Sequence, residues 1–345
     1  MSCHAGNDCE TGEGALTIVV TGASGFVGAA LVEALVGAGR TVIGLDRQPP
    51  PPELLAAVAA APGRAEWRTV DVTDAAALQA AFAGTSARAA IHTATITAGK
   101  ARDASDPAGI VDVNVNGTIA VLEACRDHGV ARFVLASSNA AYGRTVFEPG
   151  PLTEDRPAEP VSLYEITKFA AERTALRLGD LYGVDVRIAR LSSVFGPWER
   201  ATGVRDTLSP LLQVVRLAAR GEPALLPRPH YRDWIYVRDV ALGLQHLVDV
   251  PSPAPRLFNL GPGVAQGFTT LAWGKMLQAA WPDFDCRLAA PHETANVDVY
   301  LPHDRAPLAI DRLTQWTGFR PRHGLEAAAA DYLAWLRQHP TLLEP

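Results

Sequence analysis

The stretch Leu16-Thr17-Ile18-Val19-Val20-Thr21-Gly22-Ala23-Ser24-Gly25-Phe26-Val27-Gly28 decides the fold. Its first half is an apolar run rich in β-branched residues, the composition of a buried strand. Its three glycines, at i, i+3 and i+6, make a turn, and the small and apolar residues from Ala29 to Val36 suit a helix. Val42-Ile43-Gly44-Leu45 then gives a second strand that closes on Asp46. Such a βαβ unit has a chemical reading. Glycines let the backbone approach a pyrophosphate, and the helix start offers it unpaired N–H groups. An acid about 18 residues beyond the last glycine accepts hydrogen bonds from an adenosine ribose. The spacing is Gly-x-x-Gly-x-x-Gly, not the more usual Gly-x-Gly-x-x-Gly. A turn with incidental glycines is the bland alternative; the flanking strand, the helix and the acid weigh against it.

Outward from this unit, strand and helix keep alternating. Trp67–Val70, Ala89–Thr93, Arg132–Ala136 and Val184–Arg190 read as further strands. Helical patterns run from about Glu53, from Thr73 or Asp74 through Phe82, over Ile110–His128 and over Leu163–Tyr182. Apolar strands without clean polar alternation predict a parallel sheet covered on both faces, an α/β doubly wound fold with its ligand at the carboxyl ends of the strands. Beyond Leu191 prolines and short segments break the rhythm. The expected organisation is a flexible tail over 1–14, a Rossmann-like dinucleotide-binding domain over 15–191, and a smaller, irregular substrate lobe over 192–345. Segments about 232–262 are expected to return to the first domain.

Composition narrows the function classes. The chain has 345 residues, 48% hydrophobic and 20% charged, with a net charge of −6. That balance leaves no electrostatic footprint for nucleic acid or an anionic membrane. Cys3, Cys9, Cys125 and Cys286 show no metal-ligand spacing, so no metal is expected, and a cytoplasmic location is the default. Met1–Gly14 lacks the basic and apolar regions of a secretion signal, and no apolar run reads as a transmembrane span.

Tyr164-Glu165-Ile166-Thr167-Lys168 is the second decisive motif. On a helix, i and i+4 share a face, so the Lys168 ammonium and the Tyr164 phenol can serve one site. A neighbouring cation favours the phenolate, and a tuned tyrosine can take a proton from a substrate hydroxyl as hydride leaves its carbon. Ser138, at the end of the fifth strand, can hydrogen-bond the same reacting oxygen. Plain strand-end turn chemistry is the alternative reading of Ser137 and Ser138.

These motifs occur in order with Asp71-Val72, Asn114-Val115-Asn116-Gly117-Thr118, Tyr142-Gly143 and Arg232-Asp233-Trp234-Ile235-Tyr236-Val237. Together they resemble the extended short-chain dehydrogenase/reductases, in particular the NAD-dependent sugar epimerase/dehydratase family typified by UDP-galactose 4-epimerase. The resemblance spans about residues 15 to 335. It implies Tyr164 as catalytic acid/base, Lys168 as its tuner and ribose ligand, and Ser138 as the third catalytic member. It implies NAD as cofactor, held by Gly22, Ser24, Gly25, Phe26, Val27, Gly28, Asp46, Arg47, Asp71, Val72, Thr93, Ala94, Thr95, Asn114 and Leu191 together with Tyr164 and Lys168. Asp46 disfavours a 2′-phosphate, while Arg47 keeps NADP open.

Departures from the family pattern bear on the substrate. Related dehydratases carry Thr-Asp-Glu after the fifth strand, where this chain has Ser138-Asn139-Ala140, without a carboxylate. Ser193 stands where epimerases commonly place an asparagine, and a late basic residue has no counterpart around Pro291–Val299. Ser138, Asn139, Ser193 and Arg232 are the expected substrate contacts. An ion pair of Arg232 with Asp233 or Asp239 is the structural alternative. Arg200, Arg205, Arg228 and Arg232 could bind a sugar carboxylate; Trp198 and Trp234 read first as packing residues. The leading expectation is an epimerase of a sugar or nucleotide sugar. A net dehydrogenase of a free sugar or sugar acid would share every catalytic residue. The intact Ser138, Tyr164 and Lys168 set argues against a non-catalytic NAD-binding regulator. The resemblance also implies a homodimer through the helices near 110–128 and 163–182.

Overall fold

The computed structural model describes residues 16–343, so the expected tail, with Cys3 and Cys9, lies outside the described residues. Its centre is a seven-stranded parallel sheet. Six strands come from the first part of the chain: β1 (Thr17–Thr21), β2 (Thr41–Asp46), β3 (Arg64–Thr69), β4 (Ala89–His92), β5 (Arg132–Ser138) and β6 (Asp185–Leu191). The seventh, Leu257–Leu260, comes from much later in the chain and pairs with β6, Leu257 opposite Ile188. The spatial order is β3-β2-β1-β4-β5-β6 and then Leu257–Leu260. The order reverses between β1 and β4, which opens a crevice above the carboxyl ends of those two strands.

The β-branched run that opens the chain becomes the middle of this sheet. Ile18, Val19 and Val20 are each at most 1% exposed. β1 pairs with β2 on one side and with β4 on the other, Val19 opposite both Ile43 and Ala90. Apolar clusters form on both faces, one around α1 (Phe26–Gly37) and the helix Val237–Asp249, the other around the helices after β3 and β4. Two faces of apolar cover are why these strands read as continuous apolar runs.

β3 begins earlier than Trp67 because its alternating Arg64, Glu66 and Arg68 mark a half-exposed edge strand. The expected single helix over 110–128 is instead three pieces: Pro107–Val111, a π-helical turn over Asp112–Asn116, and Gly117–Asp127. An i→i+5 turn leaves no trace in apolar periodicity, so the pattern looks continuous. By length and composition the composite helix Pro107–Asp127 is also apolar enough to cross a membrane, contrary to the reading that no run is, although here it covers the sheet.

The helix Leu163–Tyr182 runs as its sequence predicts. Ser162 and Glu165 form a reciprocal capping box at its start, and Gly183, at φ +70°, ends it in the left-handed conformation. The cap sets Tyr164 in the first turn, so its position over the β5 end is fixed by local sequence.

Candidate active site

The crevice begins at the glycine turn. Gly22 adopts φ +68°, and a Cβ there would lie 2.6 Å from the Ala94 amide nitrogen. A Cβ on Gly28 would sit 1.9 Å from the Gly22 carbonyl oxygen. The turn therefore requires glycine at both positions, so that the start of α1 packs down on β1 and β4. Above it lies an open cleft lined by Gly22, Gly25, Phe26, Val27, Gly28, Asp46, Arg47, Asp71, Val72 and Thr93–Thr97, among others. Its glycine-walled floor fits a dinucleotide.

Asp46 stands at the β2 end of this cleft. Its carboxylate accepts from the Ser24 amide at 3.0 Å and the Gln48 amide at 2.9 Å, which fixes both oxygens and leaves each with acceptor capacity. That is the donor-hungry edge a pair of ribose hydroxyls needs. Other residues expected at the cofactor lie beneath the cleft and shape it. Ser24 is buried and donates through Oγ to the Gln48 carbonyl, and Leu191 is buried. Asn114 makes four bonds inside the protein, accepting from Thr95 Oγ1 and the Ile96 amide and donating to the Ile96 carbonyl and Thr167 Oγ1. It ties the loop after β4 to the helix bearing Tyr164.

Tyr164 is half-buried where that helix meets the cleft, and the side chains of Ser138 and Thr97 act on its phenol. Burial pushes the phenol up from its ordinary range; those two hydroxyls and the Arg205 and Arg305 guanidiniums act in the opposite direction. Ser138 Oγ also accepts from the Ala140 amide at 3.1 Å, which holds its rotamer. Lys168, 5% exposed, donates to the Ala136 carbonyl at 3.1 Å. Burial lowers its ammonium to about 8, against the opposing pull of Glu172. One turn further along the same face, Glu172 accepts from Ser137 Oγ at 2.5 Å and pairs with Arg190 at 2.7 Å. The Arg190 guanidinium in turn lies 4.2 Å over the Tyr142 ring.

The four arginines considered for a carboxylate divide. Arg200 lines the cofactor cleft and donates to the Ser24 carbonyl at 2.7 Å. Arg228 is paired with Asp304 and bonded to the Leu301 carbonyl. Arg205 lies over the Phe26 ring, 5.7 Å from its centroid, and also acts on Tyr164. Arg232 is 5% exposed; its Nε donates to His230 Nε2 at 3.0 Å and its Nη1 has no partner. The alternative ion pair with Asp239 is absent, since that carboxylate receives the Arg322 and His323 amides and His323 Nδ1. Nor does Asp233 hydrogen-bond Arg232: its Oδ2 receives the Leu308 amide and its Oδ1 has no partner.

Sequence reasoning missed two members of the site. Thr97 lies in a loop that carries no motif. Arg305, in Pro302-His303-Asp304-Arg305, falls just beyond the window searched for a late basic residue. Its Nε is buried without a partner, and its charge is felt by both Tyr164 and Arg232. Burial and the neighbouring Arg305 hold the Arg232 guanidinium below its usual range, the mark of two cations gathered where an anion is due. Asn139 is buried with its Nδ2 unpartnered, and Ser193 sits opposite Trp234 in a two-stranded parallel pair. Trp198 and Trp234 are both packed in the core, Trp198 against Trp335 at 5.2 Å between ring centres.

A glycine-floored crevice at the sheet's switch point, with a serine, a tyrosine and a lysine at its rim, defines a nicotinamide-dependent enzyme of the short-chain type. The chain belongs to the NAD dependent epimerase/dehydratase family, whose profile matches residues 18–261. It is 31% identical to a dTDP-glucose 4,6-dehydratase of Streptomyces griseus over 95% of this chain and 96% of that protein. It is 27% identical to UDP-glucose 4-epimerase 2 of Oryza sativa subsp. japonica, over 95% and 83% respectively. Among solved structures, MoeE5 in complex with UDP-glucuronic acid and NAD superposes with a TM-score of 0.75 at 26% identity, covering 93% of this chain and 99% of that one. The protein is an enzyme and its cofactor is NAD.

Proposed function

We propose that this enzyme is a nucleotide-sugar epimerase in which Tyr164 is the proton carrier. The observation that carries the reading is the gathering of Tyr164 and Ser138 with Thr97 of the cofactor cleft, and Lys168 one turn along the tyrosine's helix. NAD, when bound, supplies the acceptor and later the donor of the hydride at the sugar carbinol. The chain's own residues do the rest. Tyr164 removes the carbinol proton and returns it, and Ser138 holds the reacting oxygen in line. Lys168, kept charged beside Glu172, offers its ammonium to the ribose and to the developing phenolate.

Arg232 and Arg305 support an anionic substrate, either a sugar nucleotide's diphosphate or a sugar carboxylate. The S. griseus relative is a dehydratase, but elimination of water needs an acid after β5. Here Ser138-Asn139-Ala140 offers none.

The test is to incubate the purified protein with UDP- and dTDP-sugars, follow products by NMR and monitor 340 nm. Interconversion of two epimers without NADH accumulation supports the proposal. Stoichiometric NADH would point to the dehydrogenase reading, and a 4-keto-6-deoxy product to dehydration. We further propose a cytoplasmic homodimer associating through the composite helix 107–127 and the helix Leu163–Tyr182. Exposed Ile166 and Leu181 on the second helix support that surface. A monomer by light scattering would refute the dimer, and cell fractionation tests the location.

A further inference from the structure

Residues 200–206 border the cofactor cleft: Arg200, Thr202, Val204 and Arg205 all line it. This segment is pinned at both ends. At the near end, Arg200 Nη2 donates to the Ser24 carbonyl at 2.7 Å, on the glycine turn itself. At the far end, the Thr97 amide donates to the Val204 carbonyl at 2.9 Å and the Asp206 amide to the Thr97 carbonyl at 3.2 Å. Asp206 accepts from the Gly99 amide at 2.8 Å, and Arg102 ties the segment down through Asp206 Oδ1 at 2.8 Å and the Gly203 carbonyl at 2.7 Å. Between the pins, the Arg205 guanidinium lies over the Phe26 ring and is paired with Glu199 at 3.3 Å.

Arg200 is the unusual member. Its Nη1 is buried and has no hydrogen-bond partner, although the guanidinium stands beside an open cleft. Its surroundings place it at the adenosine end: it rests on Ser24, and the carboxylates acting on it are those of Asp46 and Glu53. A guanidinium with one donor spent on a carbonyl and a buried one left over is costly unless a ligand completes it. The chemistry that a planar, permanently charged donor completes best is a phosphate oxygen.

We infer that residues 200–206 form a clasp over the bound dinucleotide, and that Arg200 binds a phosphate oxygen of its adenylate half. The glycine turn then holds the pyrophosphate from below with backbone amides, while the clasp holds it from above with a side chain. Departure of the cofactor requires the clasp to lift, and Arg102 resists that from outside both the cofactor and the substrate sites.

The test reads cofactor binding directly, so it does not depend on which sugar reaction the enzyme performs. NAD dissociation from the holoenzyme is followed by displacement, and NAD and NADP affinities by calorimetry. Arg200→Ala is expected to weaken binding about tenfold to a hundredfold, the loss of one charge-assisted contact. Arg200→Lys should recover part of it. Arg102→Ala is expected to speed NAD release about tenfold while leaving the sugar's KM at the wild-type value. Equal losses for NAD and NADP in Arg200→Ala support the shared phosphates as the ligand, and a loss confined to NADP would overturn the pyrophosphate contact. Wild-type affinity for both in Arg200→Ala would overturn the assignment of Arg200, and unchanged release in a folded Arg102→Ala would overturn the clasp.

Discussion

Glu172 and Arg190 meet as a forked pair behind the active site, Nη2 to Oε2 at 2.7 Å and Nε to Oε1 at 3.0 Å, both side chains buried. Glu172 also lies one helical turn beyond Lys168, which lies one turn beyond Tyr164. Tyr164 therefore heads a column of alternating character: phenol, cation, counter-anion, cation.

This column makes the pH profile sensitive to a residue that touches no substrate. Lys168 loses its proton as pH rises through about 8, which predicts a falling limb in kcat/KM above that pH. Glu172→Gln removes the charge that favours the ammonium, so the limb should move to lower pH. The same change leaves Arg190 buried without its partner, at a stability cost of about 3–5 kcal/mol. The pH–rate profile separates the two effects, since a purely structural role would lower Tm without moving the limb.

Tyr164→Phe keeps the ring and removes the proton. Turnover should fall about 10²–10⁴-fold, the usual worth of a positioned acid/base. NAD affinity should change little, because the variant keeps the ring and leaves the glycine turn and Asp46 untouched. A fully active variant would remove Tyr164 from the mechanism.

Arg305→Ala should raise the substrate KM by about tenfold or more, with NAD binding unaffected. Because the Arg305 charge favours the Tyr164 phenolate, its loss should also push the phenol further up. Steady-state kinetics read the first change, and ultraviolet titration with Tyr164→Phe as the reference reads the second.

Gly28→Ala places a Cβ 1.9 Å from the Gly22 carbonyl oxygen, so α1 must move away from the turn. NAD titration should show lost binding even where circular dichroism shows a folded protein.

His92 predicts acid sensitivity. It is 1% exposed, bonded to Thr21 Oγ1 at 2.6 Å, and burial with the nearby Lys168 lowers its pKa to about 3. An unfolded chain takes up this proton near pH 6.5, the folded one only near 3, so stability falls as pH drops through that window. The slope should approach about 1.4 kcal/mol per pH unit for this one group. Denaturant melts of the wild type and His92→Gln between pH 7 and 4 should differ by that slope.

The sheet was legible because buried parallel strands must be apolar on both faces, and β1, β2, β4, β5 and β6 all advertise it. The places of the glycine turn, Ser138, Tyr164 and Lys168 in the fold were legible because each sits at a strand end or helix start that the local sequence marks. Thr97 and Arg305 were not. A hydroxyl in a loop and an arginine after a proline carry no periodicity, and only the tertiary path brings them to the tyrosine. Arg200 misled for the same reason: its charge suggested a sugar acid, but the chain turns it toward the cofactor cleft. The Glu172–Arg190 pair was invisible since two opposite charges 18 residues apart look like surface residues until the helix and β6 bury them.

The π turn at Asp112–Asn116 has a consequence for how this helix tolerates change. A turn that carries one residue too many stores a length, and here Asn114, which joins the loop after β4 to the tyrosine helix, lies within it. Deleting a single residue from that turn would let it relax to ordinary helix, with the same apolar face still covering the sheet. Fold and stability would survive such an edit while Asn114 lost its aim. In this stretch the count of residues, more than their identity, is what the catalytic centre reads.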